Sequence, residues 1–154
     1  MNRWRIGLVA LVVLASLMSL SSCRALRHRV GLKETVSNPS KGTPEWVIQE
    51  VLRAALEEDE EVGWRSFARL LHSEQKHGAS LDNWRSFRYR NLRGKVNLYL
   101  KDREAVSYEI VRVNVEDSGG HTYFIYNQQS DPTPCTVLQD ERADNAWRIS
   151  RCSL

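Results

Sequence analysis

The chain has none of the compact motifs that declare a reaction. There is no Gly-x-Ser-x-Gly, no glycine-rich phosphate loop, no His-Glu-x-x-His and no run of ligands at metal-binding spacing. These absences exclude the hydrolases, nucleotide-binding proteins and metalloproteases that are recognisable from sequence. Acid–base sites assembled from scattered residues remain open. His121, Asp82, Asp102 and Tyr123 are the residues that a fold would have to bring together for one, and each is also explained as a turn, cap or sheet-face residue. His72 and His77 are five positions apart, which places them on different helix faces and makes them poor joint metal ligands; they read as exposed helix-end residues.

Cysteine is scarce, with three in 154 residues, and the charge is nearly balanced at a formal +3. The balance is uneven along the chain. Arg24, Arg27, Arg29, Lys33 and Lys41 stand against Glu34 alone in residues 24–42, whereas from Thr43 onward 15 Lys and Arg meet 18 Asp and Glu. The part that folds is therefore mildly acidic, and a basic overall pI of 8.9 is no argument for nucleic-acid binding.

A long hydrophobic run is also missing. Ile6 to Leu20 is apolar or small throughout but is shorter than the roughly 20 residues that a spanning helix requires. With Arg3 and Arg5 before it, the run reads as a secretory leader. Leu20-Ser21-Ser22-Cys23 closes it, and this stretch resembles the lipobox of bacterial prolipoproteins. The resemblance implies cleavage before Cys23, lipid on its thiol (palmitate among the acyl chains) and a mature protein of 132 residues held to a membrane. Arg24 follows the cysteine where an inner-membrane lipoprotein commonly has Asp, which implies the outer membrane, facing the periplasm. The expected organisation is signal peptide 1–22, lipidated tether 23–42 and one domain 43–154. The tether's basic residues either sit against anionic lipid or are simply solvated.

Folding is expected to begin at Thr43-Pro44-Glu45. Thr43 is suited to cap a helix, Pro44 to its first position and Glu45 to its positive end. Val47, Ile48, Val51, Leu52, Ala55 and Leu56 then recur at helical spacing. Glu57 to Glu61 reads as a solvated corner before a second helix bearing Trp64, Phe67, Ala68, Leu70 and Leu71. A third helix spans Leu81 to Arg93, where aromatics and arginines interleave and Trp84-Arg85-Ser86-Phe87 repeats Trp64-Arg65-Ser66-Phe67. Trp84, Phe87 and Asn91 are expected to share its inner face, with Arg85, Arg88 and Arg93 left to solvent or to the acidic corner.

Beyond Gly94, Val96 to Lys101 is either a strand or the tail of that helix. Val106 to Val115 alternates as a strand with apolar residues on both faces, and Asp117-Ser118-Gly119-Gly120 turns it into a partner at His121 to Tyr126. A second hairpin runs from Cys135 to Cys152. A turn near Asp144 puts these two cysteines opposite each other, within the span of a disulfide. With Cys23 committed to lipid, they form an even pair suited to an oxidising compartment.

The fold class is therefore α+β, three helices packed on a curved antiparallel sheet of four or more strands. This order, ending on Ala146-Trp147-Arg148-Ile149, resembles the nuclear transport factor 2-like, or cystatin-like, cone. The resemblance implies a pocket at the cone's open end. It carries over no catalytic residue, because no motif matches an Asp/Tyr or Asp/His site. The expected function is a non-catalytic, membrane-anchored envelope lipoprotein without cofactor or metal, binding a small hydrophobic ligand or a protein partner. Trp84, Phe87, Tyr89, Tyr123 and Tyr126 are the candidate contacts. The alternatives are an isomerase- or cyclase-like enzyme of the same fold and an assembly factor that homodimerises through its sheet.

Overall fold

The computed structural model describes residues 33–154. The leader 1–22, the lipid-attachment candidate Cys23 and the basic residues Arg24, Arg27 and Arg29 lie outside the described residues. The chain from Lys33 onward is α+β, with helices packed on an open antiparallel sheet of six strands.

Helix α1 (Pro44–Leu56) starts as expected, with Trp46 N–H donating to the Thr43 hydroxyl at 3.3 Å and Pro44 in the first turn. Its inner stripe, from Val47 and Ile48 through Val51 and Leu52 to Ala55, is fully covered. Helix α2 (Glu60–Leu70) begins at the acidic corner, where Asp59 Oδ1 accepts from the amides of Glu61 and Val62 at 2.8 and 3.0 Å. These backbone donors hold the Asp59 carboxyl below the usual range.

Helix α3 is continuous but not uniform. Its segments are Gly78–Asn83, a π turn at Trp84–Tyr89, and Arg90–Lys95. A π turn adds a residue to the helical repeat, so the inward side chains are Trp84 and, five positions on, Tyr89, followed by Leu92 and Val96. The expectation that Phe87 faces inward with Trp84 is thereby corrected: Phe87 is 66% exposed. The same Trp-Arg-Ser-Phe tetrapeptide buries both aromatics in α2 and only the tryptophan in α3.

The strands are β1 (Glu34–Val36), β2 (Leu100–Asp102), β3 (Ser107–Val115), β4 (His121–Ile125), β5 (Thr133–Asp140) and β6 (Ala146–Cys152), in the spatial order β1-β3-β4-β5-β6 with β2 also on β3. Residues 96–101 prove to be both a helical tail and a strand, a 3₁₀ turn at Val96–Leu98 leading into β2. β1 lies in the stretch that the sequence assigns to the tether. Glu34, Thr35 and Val36 pair with Ile110, Glu109 and Tyr108, so the sheet recruits chain from before residue 43. Buried Gln49 of α1 helps to hold it there, its amide donating to Ser37 O at 2.7 Å and lying 3.3 Å from Val106 O.

One sheet face carries Tyr108, Ile110, Tyr123, Ile125, Cys135, Val137 and Ile149, all buried in a single core with the helices. The apparent two-sidedness of β3 has a simple cause. The register shifts between Ile110 and Arg112, and Val113 then lies opposite buried Tyr123. A bulge passes the inner face from Tyr108 and Ile110 to Val113, while Val115 at the end of the strand is exposed. The other face is polar, with Arg112, Asn114 and Arg151 exposed and Arg112 stacked 3.9 Å above the Phe124 ring.

A second bulge decides the cysteine register. Near the hairpin turn Val137 pairs with Ile149, but Thr136 pairs with Arg151, so Ser150 is an extra residue on β6. That one residue brings Cys152 opposite Cys135, with Cα atoms 4.0 Å apart and the two joined in a disulfide. Reduction, or C135S/C152S, is expected to lower unfolding stability by about 3 kcal/mol, as closing a short loop does. Urea denaturation with and without reductant measures it.

Gly63 is where α2 crosses α1. A Cβ there would fall on the Tyr89 hydroxyl and 2.5 Å from the Ala54 carbonyl, neither of which has room to move. G63A should destabilise the fold by about 2–4 kcal/mol through overpacking, whereas alanine at open Gly94 should cost nothing measurable by the same denaturation.

Candidate functional site

The five aromatic candidates do not meet. Trp84 and Tyr89 close a cluster with Trp64 and Phe67, with ring centroids 5.1–5.8 Å apart, inside the helical layer. Tyr123 is buried on the sheet and its hydroxyl donates to Glu45 Oε1 at 3.2 Å. Tyr126 lies past the end of β4 with the Lys33 ammonium 3.1 Å above its ring. Phe87 stands alone on the outside of α3. The scattered acid–base set does not assemble either. Asp102 accepts from Ala105 N–H in a turn, Asp82 is exposed on α3, and His121 stacks on Trp147 at 4.8 Å.

A buried titratable cluster does exist, at residues not among the site candidates. His72, expected to be exposed, is 7% exposed; Asp140, at the end of β5, is 1% exposed. Asp140 receives Ser73 N–H at 2.8 Å, Ser73 Oγ–H at 2.9 Å and Arg142 N–H at 3.1 Å, and His72 Nε2 stands 4.0 Å away. Burial pushes the Asp140 carboxyl up, but the donors from Ser73 and Arg142, with His72, outweigh it and leave it below the usual range. The Ser73 hydroxyl is a donor to the carboxylate and not a partner of the imidazole, whose Nδ1 accepts the Glu74 amide at 3.3 Å. This is a clasp between the α2–α3 connection and the β5–β6 hairpin, reinforced where His72 N–H donates to Ile149 O.

The candidate site is the groove between α1, α2 and β6, with a volume of about 390 Å³. Trp46, Glu50, Arg53, Ala54 and Glu57 reach it from one stripe of α1, Ser66, Arg69 and Leu70 from α2, and Arg148 from β6. Helical repeat explains the stripe, since positions three and four apart share a face. Arg53 is paired with Glu50, which cancels that carboxylate. Arg69 and Arg148 have no acidic partner among the described residues. Arg148 donates through Nη1 to Trp147 O at 3.0 Å, while its Nε is buried with no acceptor. Burial and the Arg148 charge hold the neighbouring Lys76 ammonium below the usual lysine range, with Asp140 opposing. The groove's end at β6 is thus electropositive, although the folded part as a whole is acidic.

A second groove, between α3 and β6, is lined by Gln75, Trp84, Arg88 and Arg151 among others. There Trp84 Nε1–H donates to Gln75 and Arg88 donates to Cys152 O, so the main polar groups are already satisfied. Among the described residues no cluster of three or more His, Cys, Asp or Glu side chains could hold a metal ion, and no helix is long and apolar enough to cross a membrane. The signal that could have found the groove is the polar stripe of α1 opposite its apolar one. Its partner Arg148 sits on a strand whose distance from α1 no local pattern reveals.

No family model matches the chain, and neither a curated protein nor a solved structure is significantly similar to it.

Because the native carboxyl of Asp140 is held down, its stabilisation is present above the unfolded-state value of about 3.9 and is lost as pH falls through the lower folded value. D140N should cost about 1–3 kcal/mol at pH 7, from acceptors lost to buried N–H donors. The cost should shrink as pH is lowered from 7 to 3, below the unfolded-state value, because the unfolded chain then takes up a proton that the native carboxylate does not. Urea midpoints of both proteins at the two pH values decide it, and an equal loss at both would remove the charged clasp.

Proposed function

We propose that the chain is a lipid-anchored protein of the bacterial cell envelope whose α+β domain is a non-catalytic binding module. The observation that carries this reading is the use of cysteine. The domain's two cysteines are joined to each other, as suits an oxidising compartment. The remaining one, Cys23, ends a leader with lipobox spacing. Arg24 after it favours the outer membrane, facing the periplasm. The succession of three helices and an antiparallel sheet, with the helices on one face, supports a nuclear transport factor 2-like cone to which β1 adds an edge strand.

The groove of α1, α2 and β6 is the binding surface in this reading. It favours a polar ligand or partner over the hydrophobic one expected from the aromatics, since those residues are spent in the core or stand apart. An isomerase-like enzyme draws less support, because the buried His72 and Asp140 line neither groove and their polar atoms serve the clasp. The exposed sheet face is polar and offers a homodimer little apolar surface to bury.

Intact mass of the full protein isolated from membranes tests the anchor. The expected mass is that of residues 23–154 plus acyl chains, rising by two hydrogens on reduction. An unlipidated mass, or one starting elsewhere, overturns the localisation.

A further inference from the structure

The arginines of this domain are mostly spoken for. Arg85 pairs with Glu61 and Arg90 with Glu60, Arg93 reaches the carbonyl oxygens of Glu57 and Glu58, and Arg88 that of Cys152. Arg148 is different: it is half-buried, its Nε–H is out of water without an acceptor, and it opens into a groove shared with the unpaired Arg69. Native proteins rarely leave a buried donor unsatisfied.

We propose that this groove binds a small organic oxyanion, a carboxylate or phosphate monoester carrying a flat or short apolar body, held by Arg148 and Arg69 against the Trp46 indole.

A guanidinium fork matches two oxygens of either anion; the Arg148 Nε–H, which is covered by protein, joins the contact only if the side chain turns as the ligand enters. The half-buried Trp46 ring, with Leu70 and Ala54, gives an apolar wall for the ligand's body. The volume of about 390 Å³ suits a ligand of that size. The bridge between Leu71 and Ile149 sets Leu70 and Arg69 beside Arg148, whereas Glu57 packs near Gly63 at the opposite end of the helix pair. Glu50 is neutralised by Arg53, so the charged end of the ligand meets cations, and Glu57 disfavours a second negative charge further along. The proposal deepens the binding-module reading and rests on it, but it is independent of the lipid anchor.

The test uses ¹⁵N-labelled full-length protein in non-ionic detergent, titrated with benzoate, phenyl phosphate and the neutral benzamide. The Trp46 indole N–H and the Arg148 Nε–H are followed by two-dimensional NMR. At least one anion should shift both signals saturably, with benzamide at least tenfold weaker, and the tighter anion identifies the headgroup. R148Q and R69Q should each weaken that anion tenfold or more. Arg69 makes no side-chain hydrogen bond among the described residues, so R69Q keeps the test decisive should R148Q fail to fold. An equal response to benzamide, no response to either anion, or undiminished binding by R69Q overturns the site. Failure here leaves the membrane anchor standing, and an unlipidated mass leaves this site standing.

Discussion

A phenol hydroxyl placed where no water reaches must find an acceptor, and the helical layer is built around one such need. Tyr89 is 0% exposed; its ring packs on Trp64 and Phe67, and its hydroxyl donates to the Ala54 carbonyl of α1 at 3.0 Å. An unsatisfied hydroxyl there would cost about 1–3 kcal/mol. Burial raises the phenol's pKa, with Arg93 beside it opposing, so the proton stays on and the group remains a donor. Three helices are fixed by this single contact. α1 supplies the acceptor, α2 must carry glycine at position 63 to let the hydroxyl through, and α3 must add a residue in its π turn for Tyr89 to point inward at all.

Once that junction is set, α1 has three separate duties. Its apolar stripe closes the core over Tyr108, Ile125 and Val137. On one flank Gln49 bonds the backbone leaving β1 and the turn entering β3, which is why a strand of three residues stays on the sheet. On the other flank Trp46, Glu50 and Arg53 are neither core nor free surface; they form the wall of the groove. The clasp of Asp140 on Ser73 then fixes the β5–β6 hairpin against the α2–α3 connection, and β6 is the strand that carries Arg148. The groove is therefore a product of the same contacts that stabilise the fold.

What the sequence made legible were the features determined by neighbours along the chain. The Thr43-Pro44 start of α1, the acidic corner before α2, the Gly119 turn and the opposition of Cys135 and Cys152 all depend on a few consecutive residues or on symmetry about a turn. The cysteine pairing held through compensation. A hairpin turn one step off the expected centre and a bulge at Ser150 offset each other, and without the bulge Cys135 would face Arg151. What stayed hidden depends on distant partners. β1 has tether composition and becomes a strand because β3 has an edge to offer it. The π turn follows from packing against Trp64 and Phe67, and it reverses which aromatics of α3 face inward. His72 is buried because Asp140, far along the chain, arrives beside it. The candidate site divides in the same way, with its α1 stripe implicit in the helical period and Arg148 invisible until the sheet is closed.

The distribution of charge also argues about the kind of chemistry available. General acid–base catalysis requires a titratable group within reach of a substrate. Asp140 is saturated with donors inside the clasp, and the carboxylate nearest the cationic end of the groove, Glu50, is held by Arg53. What remains exposed at that end is Trp46 and two guanidiniums, groups that keep their charge and shape across the pH range of life. Such a set can orient and neutralise an anion but has no group to take a proton from it. The other carboxylate of the groove, Glu57, stands near Gly63 at the opposite end of the helix pair, away from both guanidiniums. At the Arg148 end of the groove, the charges left without a partner among the described residues are both positive.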